Sequence, residues 1–242
     1  MITTAPELIY ILKVNIGIAL FYAFYKLFCC RDTFFQWRRI ALLSFLALSF
    51  LYPLMDMQAW VKEQPAINEL ADYYALMMLT ETNTSTATVV TAPVAIPTPD
   101  LLDIIKFVYW IGILLLSARF MIQLSSIFRL VLKSKNINVD QISIRSLSEP
   151  ANPFSFWQWI FIYLPGLKED EKQEILTHEQ THVRQWHSID VIISEIVNII
   201  CWMNPFAWLL KTEIRLNLEY LADHKVMAVS YTHLTLPTSD LV

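Results

Sequence analysis

His178-Glu179-Gln180-Thr181-His182 sets two imidazoles and a carboxylate in the spacing H-E-x-x-H. On a helix, residues four apart stand one above the other on the same face. Two histidines placed this way can hold one Zn²⁺ through their ring nitrogens, and Glu179, beside the first of them, can take the proton of a water at that point. A catalytic zinc site needs a third protein ligand and keeps a fourth position open. Glu219-Tyr220-Leu221-Ala222-Asp223, on another helical run, supplies what is missing: Glu219 can complete the metal site, and Asp223, on the same face, can hydrogen-bond a ligand imidazole from behind. An oxyanion donor is also needed. His187, Arg215 and His224 lie near the motifs in sequence, although a structural role is the simpler reading of each, as packing or capping is for Asp190.

The elements that must position these groups are set by an apolar composition. The 242 residues are 55% hydrophobic with a mean hydropathy of +0.43, more than an ordinary soluble domain carries. Only 3 glycines are present, so there is no Gly-rich phosphate cradle, and a net charge of −4 gives no basis for direct nucleic-acid binding. Cys29, Cys30 and Cys201 lack metal-finger spacing and are expected as free thiols. Apolar runs over residues 8–25, 40–55 and 104–117 predict three membrane helices within residues 1–120. No basic stretch precedes the first run and no small-residue cleavage site follows it, so it is expected as a retained helix. Bases gather at Lys26, Arg31, Arg38 and Arg39, and again at Arg119, Arg129, Lys133, Lys135 and Arg145, whereas Lys62 stands alone among the acids of residues 56–100. The positive-inside rule then puts both basic groups in the cytoplasm and the loop 56–100 outside.

Within that loop, residues 59–79 are expected as a helix and the Thr-, Ala- and Pro-rich 80–99 as a flexible linker. Residues 121–131 suit an amphipathic helix along the membrane. Ile137, Val139, Ile142 and Ile144 nearly alternate, as in a half-buried strand. Short strands follow around 153–156 and 159–164, with a turn at Pro165-Gly166. Glu169, Asp170 and Glu171 crowd the start of the metal helix, where acids suit the helix dipole. The expected architecture is a mostly α membrane protein with a cytoplasmic α+β domain over 121–229 and a short sheet beside the H-E-x-x-H helix. Residues 189–210 are apolar enough for a fourth crossing, but a crossing there would part His178 and His182 from Glu219. Glu195, Asn198 and the Asn204-Pro205 break favour a buried or re-entrant helix ending at Pro205. Trp157, Trp159, Trp186, Trp202 and Trp208 are expected in packing and at the membrane interface. The helix pattern stops at Val229. Residues 230–242 look like a sequencing-adaptor read-through and are expected as a non-native tail, so that the natural protein continues beyond 229.

The chain resembles the BlaR/MecR-type membrane metallopeptidases, antirepressor and sensor-transducer proteins of bacteria. The resemblance rests on Pro153-Phe154-Ser155-Phe156, on Ile175 to Val183 around H-E-x-x-H, on Trp202-Met203-Asn204-Pro205-Phe206 and on Asn217-Leu218-Glu219-Tyr220-Leu221-Ala222-Asp223. It implies a zincin-like (gluzincin) domain on the cytoplasmic side of the bacterial plasma membrane, lying between the third span and a fourth. It implies Zn²⁺ held by His178, His182 and Glu219, with Glu179 as acid/base. The task implied is to relay an outside signal by cutting a cytoplasmic transcriptional repressor, or the protein itself. In zincin-type proteases an edge strand beside the metal helix holds the substrate extended, and residues 154–163 are the candidate. The sequence departs from the antibiotic sensors in having no S-x-x-K motif, no following sensor domain and no span after Asp223, so the stimulus stays open and β-lactam sensing does not follow from the resemblance. Two other readings compete: a non-enzymatic membrane receptor with a structural metal site, and a transporter subunit using Lys13, Lys106 and Glu195.

Overall fold

The computed structural model describes residues 6–29, 33–55, 73, 101–139 and 142–234. The expected helix over 59–79 (Tyr73 apart), the linker over 80–99 and the tail beyond Leu234 lie outside the described residues. Unbroken apolar sequence gives three long helices: α1 (Pro6–Phe24), prolonged by a π turn over Tyr25–Cys29, α2 (Phe35–Leu51) and α3 (Leu101–Lys133). As Glu7–Cys29, Phe35–Leu54 and Leu102–Lys133, they are long and apolar enough to cross a membrane. The amphipathic helix expected over 121–131 is helical, but as the last part of α3 and not as a helix of its own. No Gly or Pro interrupts 113–133, so α3 runs on as one rod of 33 residues, about 50 Å long.

A four-stranded sheet follows in the order β1-β2-β4-β3. β1 (Lys135–Val139) and β2 (Ile142–Ser146) pair antiparallel, so the single strand expected over Ile137 to Ile144 is a hairpin. β4 (Trp159–Ile162) pairs parallel with β2 and antiparallel with β3 (Phe154–Phe156). The segment 154–163, expected as one substrate strand, is therefore two, and only β3 lies at an edge. β4 is central and buried on both faces, with Ile160, Phe161 and Ile162 all at 0% exposure. Phe161 packs with Val131 and Leu147, which seats the sheet on the end of α3. Gly166 takes φ +88, which a side chain would resist, and turns the chain towards the next helix.

That helix, α4 (Glu169–Arg184), carries its three acids in the first turn. Its end is abrupt. Trp186 adopts φ 57, and α5 (His187–Ile200) starts at once in a new direction. With 14 residues α5 is about 21 Å long, too short for a hydrocarbon core of about 30 Å. A turn at Cys201–Asn204 reverses the chain. The Asn204 side chain then accepts a bond from the Phe206 N–H at 3.0 Å, capping α6 (Pro205–Leu234) with proline in its first position. The apolar stretch 189–210, expected as one helix ending at Pro205, is thus a helix, a turn and the start of another helix. α6 also continues past Val229, where the helix pattern was expected to stop.

α6 holds the assembly together. Ala207, Leu210, Ile214, Leu218 and Leu221 recur at helical spacing and form one core with Val14 and Ile18 of α1 and Leu42 and Leu46 of α2. The apex of the α5–α6 hairpin lies between α1 and α3: Asn204 Nδ2 donates to the Asn15 carbonyl at 3.0 Å, and the Tyr109 hydroxyl donates to that of Ile200 at 2.6 Å. Trp202 covers Gly112 so closely that a Cβ there would enter its indole ring. Gly112→Leu is expected to cost about 1–3 kcal/mol by overpacking, read as a lower unfolding temperature in detergent, with Val108→Leu on the exposed side as the neutral control.

Candidate metal centre

α4 and α6 pack against one another and bring their motifs together. His178 Nε2 lies 3.2 Å from His182 Nε2 and 3.3 Å from Glu219 Oε2, and His182 Nε2 lies 3.8 Å from the same oxygen. One donor atom from each of the three residues falls within 4.8 Å of the others, an arrangement that can hold a metal ion. The donor set fits a divalent cation. Zn–N bonds of about 2.0–2.1 Å at a tetrahedral angle place two nitrogens about 3.3 Å apart, close to the 3.2 Å found between the imidazoles. Among the described residues, no further His, Cys, Asp or Glu joins the three.

Behind the donors each imidazole has a partner on its other nitrogen. Asp223 Oδ1 lies 3.1 Å from His178 Nδ1, and His187 Nδ1 lies 2.8 Å from His182 Nδ1. Partners of this kind fix ring orientation, and their loss typically weakens metal binding by about 10–100-fold. Asp223→Ala is expected to weaken binding of a divalent metal at these donors by about that factor, measured by competition with a chromogenic chelator.

The electrostatics follow from these contacts. The Glu219 hydrogen bond holds the His178 imidazole above its ordinary pKa, against the pull of burial. Bonding to His178 and His182 holds the Glu219 carboxyl well below the usual range. Burial, reinforced by His182 and Arg39, pushes His187 down to about 3, so it is neutral at physiological pH.

Two cavities meet at His178 and Glu179. One, of about 540 Å³, runs along Phe154, Ser155 and Phe156 of β3 to Arg215 and Glu219. The other, of about 530 Å³, is bounded by Ile175, Val226 and Met227. Glu179 is itself 7% exposed and reaches the walls of both. The β3–β4 turn is anchored at the α4–α5 junction: the Trp157 N–H donates to Ser188 Oγ at 2.8 Å, and the Trp157 and Trp186 rings meet edge to face at 5.1 Å.

The residues near the motifs sort themselves by their contacts. His187 has both ring nitrogens engaged by His182 and Gln185. His224 packs against the Phe35 ring. Arg215 lines the cleft but grips Glu195 Oε1 at 2.7 Å. Asp190 is buried and paired with Arg39 at 2.6 Å. Glu195, held by Lys211 and Arg215, stands apart from the metal donors. The place of His187 behind His182 is not legible in sequence. In a continued helix it would sit about 140° around the axis from His182, and only the turn at Gln185 and Trp186 swings it back.

Against known proteins, residues 12–235 match the family model described as BlaR1 peptidase M56. No curated protein matches the chain.

Proposed function

On the premise that this chain belongs to the BlaR1 peptidase M56 family, we propose that it is a membrane-held zinc endopeptidase, with His178, His182 and Glu219 as zinc ligands and Glu179 as acid/base. The observation that carries the proposal is the convergence of the three donors within 4.8 Å beside a buried glutamate. Bound zinc would supply Lewis-acid polarisation of the scissile carbonyl and make water more acidic. Glu179 accepts the proton of the attacking water and returns it to the leaving amine. Asp223 keeps the His178 ring turned so that Nε2 faces the cleft. Among the described residues β3 is an edge strand along the cleft wall, to which an extended peptide adds as a further strand. A purely structural metal site would be closed by four protein ligands; three donors flanked by two open cavities favour catalysis.

The site belongs on the cytoplasmic side of a bacterial plasma membrane. Lys26, at the end of α1, and Arg39, near the start of α2, pair with Glu213 on α6 and Asp190 on α5, so these ends of the two helices, with their basic residues, lie beside the site. The α5–α6 hairpin enters the membrane from that side and returns. Its apex is 15 residues above Glu219, about 22 Å along α6. The substrate is then a cytoplasmic protein, a transcriptional repressor or the chain itself, cut in response to an outside signal.

The test is direct. The zinc-loaded chain in lipid nanodiscs is incubated with an unstructured protein substrate and with a bacterial transcriptional repressor, and products are read by mass spectrometry. Cleavage that a chelator stops and zinc restores is the expected result. Intact substrates and intact enzyme at every zinc level would sink the peptidase reading.

A further inference from the structure

One zinc ligand is backed by a carboxylate, the other by a second histidine, and that histidine is tied to the start of a membrane helix. His187 is 2% exposed and sits at the first turn of α5. Its Nδ1 faces His182 Nδ1 at 2.8 Å, and its Nε2 faces Gln185 Oε1 at 3.2 Å. The same Gln185 oxygen accepts the Gln36 amide N–H of α2 at 3.2 Å. Arg39, one turn along α2, donates to the Gln185 carbonyl at 2.8 Å and to Asp190 at 2.6 Å, so the junction is gripped at three points.

A metal held at His182 Nε2 requires the His182 proton on Nδ1, and the rest of the chain can match that requirement link by link. An amide oxygen only accepts. With Gln36 donating to the Gln185 oxygen, that oxygen faces His187 as an acceptor. His187 must then carry its proton on Nε2, and its Nδ1 is left as an acceptor. His182 must in turn carry its proton on Nδ1, which leaves the Nε2 lone pair free towards His178 and Glu219. The opposite arrangement puts two acceptors face to face at Gln185 and places a proton on the nitrogen that has to bind metal.

We propose that His187 is a positioning residue for His182, and that Gln36, Gln185 and His187 form a hydrogen-bonded line from the head of α2 to the metal, selecting the imidazole tautomer that can bind it. The proposal rests on the zinc reading above. Displacing the head of α2 releases Gln36 from Gln185 and loosens one metal ligand without touching the metal site itself. Nothing else in the fold joins α2 to a ligand ring by side-chain hydrogen bonds among the described residues.

The experiment uses the full chain in detergent micelles. Zn²⁺ affinity is measured by chelator competition, and the ligand-field spectrum is recorded after Co²⁺ substitution. His187→Phe keeps the bulk and removes the acceptor, so Zn²⁺ binding should weaken by about 10–100-fold and the Co²⁺ bands should shift. His187→Asn places an oxygen where Nδ1 stands and should restore affinity and spectrum to within a few-fold of the wild type. Gln185→Leu, at a partly exposed position, should give a smaller loss with the same spectral shift, and it carries the test if His187→Phe does not fold. Wild-type affinity and spectrum in both His187→Phe and Gln185→Leu, or in Gln185→Leu alone when the other does not fold, overturn the proposal. Wild-type protein that binds no Zn²⁺ overturns the metal reading beneath it, a distinguishable result.

Discussion

Glu179→Ala is expected to lower peptide cleavage by about 10²–10⁴-fold while the protein still binds one zinc with near wild-type affinity. The separation of the two effects is what makes the variant informative. Glu179 is buried at 7% and faces both cavities, but its carboxylate is not among the converging donors. Its removal takes away the proton acceptor and leaves His178, His182 and Glu219 in place. The measurement pairs turnover of a fluorogenic peptide with metal content after dialysis. A variant that cleaves at the wild-type rate would eliminate Glu179 as acid/base, and with it the peptidase mechanism built on this residue.

Glu219→Ala should do the reverse of preserving metal. One of three protein ligands is lost, and the two remaining imidazoles stand 3.2 Å apart with no anion between them. Zinc binding should fall by more than the roughly 10–100-fold expected for a lost partner behind a ligand, and activity should vanish with it. Glu195→Ala is the matched comparison, because Glu195 is also acidic and paired with bases but stands away from the donors. It should retain zinc. Loss of zinc in Glu195→Ala with retention in Glu219→Ala would remove Glu219 from the ligand set.

What could be read from sequence was what repeats with a helical or strand period. H-E-x-x-H and E-x-x-x-D each fall within a single helix, so their internal geometry is local, and the structure brings the two helices together. The apolar runs likewise announce three long helices by length alone. What was not legible depends on the joints. The hydropathy of 189–210 says nothing of the reversal at Cys201–Asn204, which is set by the Asn204 cap and by contacts to Asn15 and Tyr109 far away in sequence. The dip in hydropathy after Ser117 looked like a helix end, yet Ala118, Arg119 and Phe120 are all residues a helix accepts. The edge position of β3 follows from the parallel pairing of β2 with β4, a long-range choice with no local signature.

The unbroken length of α3 has a mechanical consequence. It touches the rest of the fold chiefly at Gly112, beneath Trp202, and near Val131, beneath the sheet. From residue 101 to 112 is about 16 Å, and from 112 to 131 about 28 Å. A stiff rod pivoting at the first contact is a lever with its longer arm on the side of the sheet, so sideways travel at the tip near residue 101 arrives enlarged nearly twofold at the strands that rest on Val131.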